Sequence, residues 1–139
     1  MMMTALSALV GLLMLTQLTP SQVLPADKIV LVNLSVTALK PGPDLDRRQK
    51  LQARAEQFFR EELGRKRKIL RLAATPDGAD VLLELGEVFP LTDGFFETTI
   101  SLTLGRSTET LSRASPSIPD LGTNLGLAVE EWIDAHQGH

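Results

Sequence analysis

One segment limits the possible folds more than any other. From Phe95 to Leu104 the side chains alternate without a break: Phe96, Thr98, Ile100, Leu102 and Leu104 on one side, Glu97, Thr99, Ser101 and Thr103 on the other. A period of two places these sets on opposite faces of a strand, one buried and one wet, as in an antiparallel sheet. Gly105–Ser107 reads as a turn, and Glu109–Ala114 as a shorter returning strand.

The flanking segments supply the rest of the sheet and its cover. Lys28–Val36 is β-branched and apolar on both faces at its start, which predicts a central strand. Pro41-Gly42-Pro43 breaks the chain. Asp44 or Asp46 then caps a helix to about Leu63, with Leu51, Ala55, Phe58, Phe59 and Leu63 at helical spacing and Gly64 suited to the left-handed C-terminal position. Lys68–Leu72 is a short strand. Ala79–Phe89 is a longer one, with Val81, Leu83, Leu85 and Phe89 on one face, Leu82 and Glu84 on the other, and a bulge or twist at Gly86. Asp120 or Thr123 opens a last helix whose buried stripe is Leu125, Ala128, Val129, Trp132 and Ile133, with Trp132 packed near Ile100 or Leu102. The remaining glycines stand singly, as at turns. The order β-α-β-β-β-β-α predicts an α+β fold: a two-layer sandwich, a mostly antiparallel sheet with two helices packed on one face. Its other face is left for a partner.

The start of the chain belongs to no such layer. Residues 1–26 carry no charged side chain, hold all four Met and include the apolar run Ala5–Leu18. The run is shorter than the ~20 residues of a bilayer span, and Pro20 ends any helix. It reads as a signal peptide over residues 1–21, cleaved after Ser21 with Ala26 as a second candidate. An uncleaved anchor and a buried first helix are the other readings of the run. Residues 22–139 then form a single α/β domain, periplasmic or otherwise exported.

Charge is sharply uneven along this domain. Residues 47–71 hold ten of the 14 basic residues against three acids, a local +7 in a chain of net charge −3. Arg65, Lys66, Arg67 and Lys68 form a tight run after the first helix, where cations also complement the helix C-terminus. They are the candidate binding residues, for an acidic protein or for anionic lipid headgroups, unless they are only a solvated face. With a net acidic chain and no Tyr, nucleic acid is not expected as a partner.

Catalytic machinery is sparse. The absence of Cys excludes a thiol nucleophile, a Cys zinc site and an acylated Cys. The two His, His136 and His139, sit in the last four residues, where a fraying tail makes a triad or a metal pair unlike the expected solvated end. No glycine-rich nucleotide loop, HExxH or calcium loop occurs. No catalytic residue, metal or cofactor is therefore assigned. Glu84 and Glu97, outward on neighbouring strands, leave open a small hydrolase-type enzyme if the strand register brings them together.

Gly78-Ala79-Asp80 before a strand that reaches Gly86, followed by Leu104 and Thr108–Leu111, resembles the envelope α/β domains of TolB amino-terminal type, shared in outline with the curli-secretion lipoprotein. The resemblance covers most of residues 22–139 and brings no catalytic residues. The auxiliary lipoproteins of ABC-type envelope transporters are similar in their long strands before a C-terminal helix. TolB continues into a propeller, and the curli protein and the transporter lipoproteins carry an acylated Cys; neither feature is read in this sequence. Both imply a non-enzymatic accessory or assembly domain of the bacterial envelope that acts through a protein partner.

Overall fold

The computed structural model describes residues 23–138; the expected signal peptide lies outside them. The elements are β1 (Val30–Val36), α1 (Leu45–Arg65), β2 (Leu70–Leu72), a 3₁₀ turn (Pro76–Gly78), β3 (Val81–Leu85), β4 (Phe89–Pro90), β5 (Phe96–Leu104), β6 (Ser107–Ser115) and α2 (Ile118–His136). They form an α+β fold, an open six-stranded sheet with two helices. The sheet is mixed. β1 runs parallel to both β2 and β3, because α1 carries the chain back across one face before β2 begins. The remaining pairs are antiparallel. β3 and β4 pair with successive stretches of β5, so they share one of its edges, and β6 takes the other. The lateral order therefore ends in β2 on one side and β6 on the other.

The alternation in β5 holds throughout: Thr98, Ile100, Leu102 and Leu104 are buried, Phe96 partly so. They join Val30, Val32 and Leu34 of β1 and Val81, Leu83 and Leu85 of β3 beneath the helices. In α1 the buried face is Gln52, Ala55, Phe59, Glu62 and Leu63, with Leu51 and Phe58 at its margin. Trp132 is buried in the same cluster as Ile100 and Leu102, and lines a small cavity with Leu104.

Several local expectations change. Asp44 is the residue before α1, but its side chain makes no capping bond; it lies at φ 58, and its carbonyl accepts from the Arg48 amide at 2.9 Å. Gly64 stays inside α1, which ends one residue later. α2 begins at Ile118, earlier than expected, since Ser117 caps the Asp120 amide and Pro119 fits the first turn, where its missing N–H costs nothing.

Gly122 and Gly126 are not turn glycines but lie in α2 where it crosses α1. A Cβ on Gly122 would stand 2.8 Å from the Phe58 Cβ, and one on Gly126 2.4 Å from the Glu62 Cγ. The two helices approach at a distance that only these glycines permit.

The C-terminal segment is also less free than a tail. Leu24, 2% exposed, joins the core. Its amide donates to the His136 carbonyl and its carbonyl accepts from the Gly138 amide, each at 2.9 Å. Cleavage after Ala26 would remove Leu24 from the domain; cleavage after Ser21 would keep it.

Candidate functional site

Two members of the predicted basic run, Arg65 and Lys66, are already paired within the fold. Arg65 ends α1 and its Nη1 meets Glu62 Oε2 at 2.9 Å. Lys66 lies largely covered, its Nζ 3.9 Å from Glu62 and 3.6 Å from Glu130 of α2, so it ties the two helices together. Arg67 points along a hollow of about 350 Å³ shared with Leu63, Gly64, Leu70, Arg71 and Leu72. Lys68 is exposed in the turn before β2, which starts at Leu70 rather than at Lys68. The net +7 of the segment is thus divided between structural pairs and scattered cations. Arg60 is likewise engaged, by Glu56 at 2.7 Å and by the Leu34 carbonyl at 3.2 Å.

Glu84 and Glu97 do share the open face, but the register separates them. Glu84 stands opposite Ser101, four residues along β5 from Glu97, or roughly 13 Å at a strand's rise. Glu84 accepts from Thr37 Oγ1 at 2.7 Å. The two carboxylates are too far apart to share a proton. His136 is half-buried rather than solvated: its ring stacks on Trp132 with centroids 3.9 Å apart, Nδ1 donates to the Trp132 carbonyl at 2.8 Å, and Nε2 lies 3.6 Å from Glu109. His139 lies outside the described residues. Among the described residues no cluster of three metal-ligating side chains occurs, and no helix is long and apolar enough to cross a membrane.

The most developed surface feature lies at the other end of α1. Between β3 and β4, residues 86–88 leave the regular strand, and the inward side changes from the odd to the even positions. Val88 is 2% exposed, whereas Phe89, expected in the core with Val81, Leu83 and Leu85, is 52% exposed. Three side chains hold this bulge. Gln52 of α1, buried, donates from Nε2 to the Gly86 carbonyl at 2.7 Å and accepts from the Val88 amide at 2.8 Å. Thr98 Oγ1 donates to the same Gly86 carbonyl at 3.0 Å. Arg48 forks onto Glu87, Nε to Oε2 at 2.9 Å and Nη2 to Oε1 at 3.1 Å. That hydrogen bonding holds the Glu87 carboxyl below the usual carboxylate range, against the opposing effect of burial. Gly86 leaves room for its neighbour: a Cβ there would fall 2.4 Å from Thr99 Oγ1 and 3.3 Å from the Thr99 carbonyl oxygen, so a larger residue would have to displace Thr99.

The result is a hollow of about 510 Å³ lined by Pro41, Pro43, Val88, Phe89 and Pro90 together with Asp44, Arg47 and the Arg48–Glu87 pair. Leu91 and Phe95, 37% and 40% exposed, continue the apolar surface along the adjoining loop. Sequence reasoning placed a bulge at Gly86 but kept Phe89 on the inward face. The signal for the reversal was Gln52, a polar residue at a helical position that packs inward.

No family model matches the chain, and no curated protein matches it. Solved structures with a similar outline include a ribosomal subunit interface protein from Coxiella burnetii, at 10% identity, TM-score 0.39, over 76% of this chain and 94% of that one. Others are the Protein Y N-terminal domain of Thermus thermophilus, at 7% identity, TM-score 0.39, over 78% and 97%, and the PelC dodecamer of Paraburkholderia phytofirmans, at 18% identity, TM-score 0.44, over 77% and 89%. Similarities at this level carry no functional inference.

Proposed function

We propose that this chain is a non-enzymatic binding module, exported to the bacterial envelope, that docks a protein partner at the apolar corner formed by Phe89, Pro90, Leu91 and Phe95. The observation that carries the reading is the exposure of Phe89. A large aromatic turned to solvent by a bulge that three side chains hold in place is not a packing remnant. Contiguous exposed apolar surface rimmed by charge is the usual composition of a protein contact. The hollow beside it accepts an apolar side chain as an anchor, with Asp44 and Arg47 in its lining for polar contacts. Export is supported by the uncharged run over residues 1–26.

Photo-crosslinking in the host tests the docking surface. A reactive residue at position 89 or 95 should give a discrete protein adduct, and one at Arg54 on the exposed side of α1 should not. Equal adducts from all three positions, or none from 89 and 95, overturn the reading. N-terminal sequencing of the host protein tests export, with Gln22 the expected first residue and an intact Met1 in the cytoplasmic fraction the contrary result.

A further inference from the structure

The two edges of the sheet differ in a way that points to a second copy of this chain. β2 presents three residues. β6 presents nine, exposed along most of their length. The two-residue loop Gly105-Arg106 joins β5 to β6, so the closing pair Leu104–Ser107 exchanges main-chain hydrogen bonds and the bonded pairs recur at every second residue. The odd residues of β6 therefore bond β5. The amides and carbonyls of Thr108, Thr110, Ser112 and Ala114 point away from the sheet. Among the described residues one such group is covered: the Arg113 Nη1 donates to the Ser112 carbonyl at 2.7 Å.

We propose that β6 pairs antiparallel with β6 of a second copy, about a two-fold axis at Leu111, joining two six-stranded sheets into one. This surface is separate from the apolar corner, and the inference does not depend on that reading. Charge selects the register. With the axis at Leu111, Glu109 faces the second copy's Arg113 and Arg113 faces its Glu109. Moving the axis to residue 109 or 113 sets like charges opposite each other, and moving it to 110 or 112 leaves both unpaired. The same register sets outward groups against outward groups, Thr110 against Ser112 and Thr108 against Ala114, for about eight main-chain hydrogen bonds. Glu109, with its side chain 54% exposed, and Arg113 lie on the helix side of the edge, flanking the half-buried Leu111. Two Leu111 side chains meet at the axis. The Ser112 carbonyl exchanges its own neighbour's guanidinium for the second copy's Thr110 amide, and Arg113 is released to the second copy's Glu109. Edge strands commonly carry charges that prevent pairing; here pairing gives Arg113 a carboxylate and adds a guanidinium to Glu109, which within its own chain has His136 Nε2 at 3.6 Å.

Sedimentation of the exported protein across micromolar concentrations tests the pairing. A monomer–dimer equilibrium is expected. Glu109→Arg alone and Arg113→Glu alone should each weaken it tenfold or more, since each sets two like pairs across the axis. Mixing the two variants should restore a dimer, because the hetero-pair again matches opposite charges at both ends. Ser112→Pro, which removes an outward N–H and none that bonds β5, should leave the circular dichroism unchanged and abolish association. A wild-type monomer at every concentration overturns the proposal, as does a dimer indifferent to the charge reversals and to Ser112→Pro.

Discussion

At its N-terminal end α1 sends Arg48 and Gln52 to a neighbouring strand, where they hold a bulge and keep Phe89 in solvent. At its C-terminal end the traffic is internal: Glu62 draws in Arg65 and Lys66, and Glu130 of α2 completes the cluster. The first arrangement creates an apolar surface that the amino-acid pattern does not announce. The second pairs part of the charged surface that the pattern announces most strongly, Arg65 and Lys66, and leaves Arg67 and Lys68 exposed. A run of cations in a sequence counts charges; it does not say which of them already have carboxylates within 4 Å.

Changes at shared or separate points distinguish the two ends. Trp132→Ala, a change in the shared core rather than at either end, should cost about 3–5 kcal/mol and lower the melting temperature of the whole domain. A shift of a degree or so would remove Trp132 from the core. Gln52→Leu should act on the apolar corner alone. It leaves the buried Val88 amide without its acceptor, at a cost of about 1–3 kcal/mol in denaturant titration, and it should abolish crosslinking from position 89. Stability lost without loss of crosslinking would show that the bulge holds without its clamp.

Smaller effects sharpen the contrast. Lys66→Gln should cost up to about 1 kcal/mol, and Arg67→Gln or Lys68→Gln no more than about 0.5 kcal/mol, since Lys66 alone joins the two helices. Equal costs in thermal melts would restore the four residues to one class. Anionic vesicle flotation at low salt should show at most weak binding, fading at physiological salt. If binding occurs and survives the combined Arg65→Gln, Arg67→Gln, Lys68→Gln change, the basic turn is not its cause. The last effect depends on pH. Because Glu87 is held below its ordinary value when folded, the Arg48 pair contributes fully above the unfolded carboxylate pKa of about 4.3 and is lost as pH falls through the lower folded value. Glu87→Gln should flatten that part of the acid unfolding profile; an unchanged profile would show that the pair does not contribute.

Much of the fold was legible because its signals are local. The alternation in β5, the apolar runs of β1 and β3, and the helical spacing of Leu51, Ala55, Phe59 and Leu63 each fit within one element. The misreadings arose where two elements meet. Phe89 follows the odd positions of β3 in sequence, but Gln52, 37 positions earlier, stabilises the bulge that reverses it. Gly122 and Gly126 resemble turn glycines until α1 is laid across them. His136 looks like part of a tail because two of its anchors, Leu24 and Glu109, are remote in sequence, and the third, Trp132, shows only once the helix runs on to residue 136.

The amino-acid sequence by itself determined the α+β class and the order of the main elements, since side-chain periodicity and turn residues act over a few positions of chain; it ran β3 and β4 together as one strand and made β6, nine residues long like β5, a shorter one. It also set the total charge of each segment. Which charges remain free, which aromatic faces solvent and which strand edge stays open were decided only by the tertiary structure. The helix pairs Arg60–Glu56, Arg65–Glu62 and Lys66–Glu62 are local, but Lys66–Glu130, Arg48–Glu87 and the Gln52 clamp join residues far apart in the chain, and hydrogen bonds and ion pairs act over a few ångströms whatever that separation.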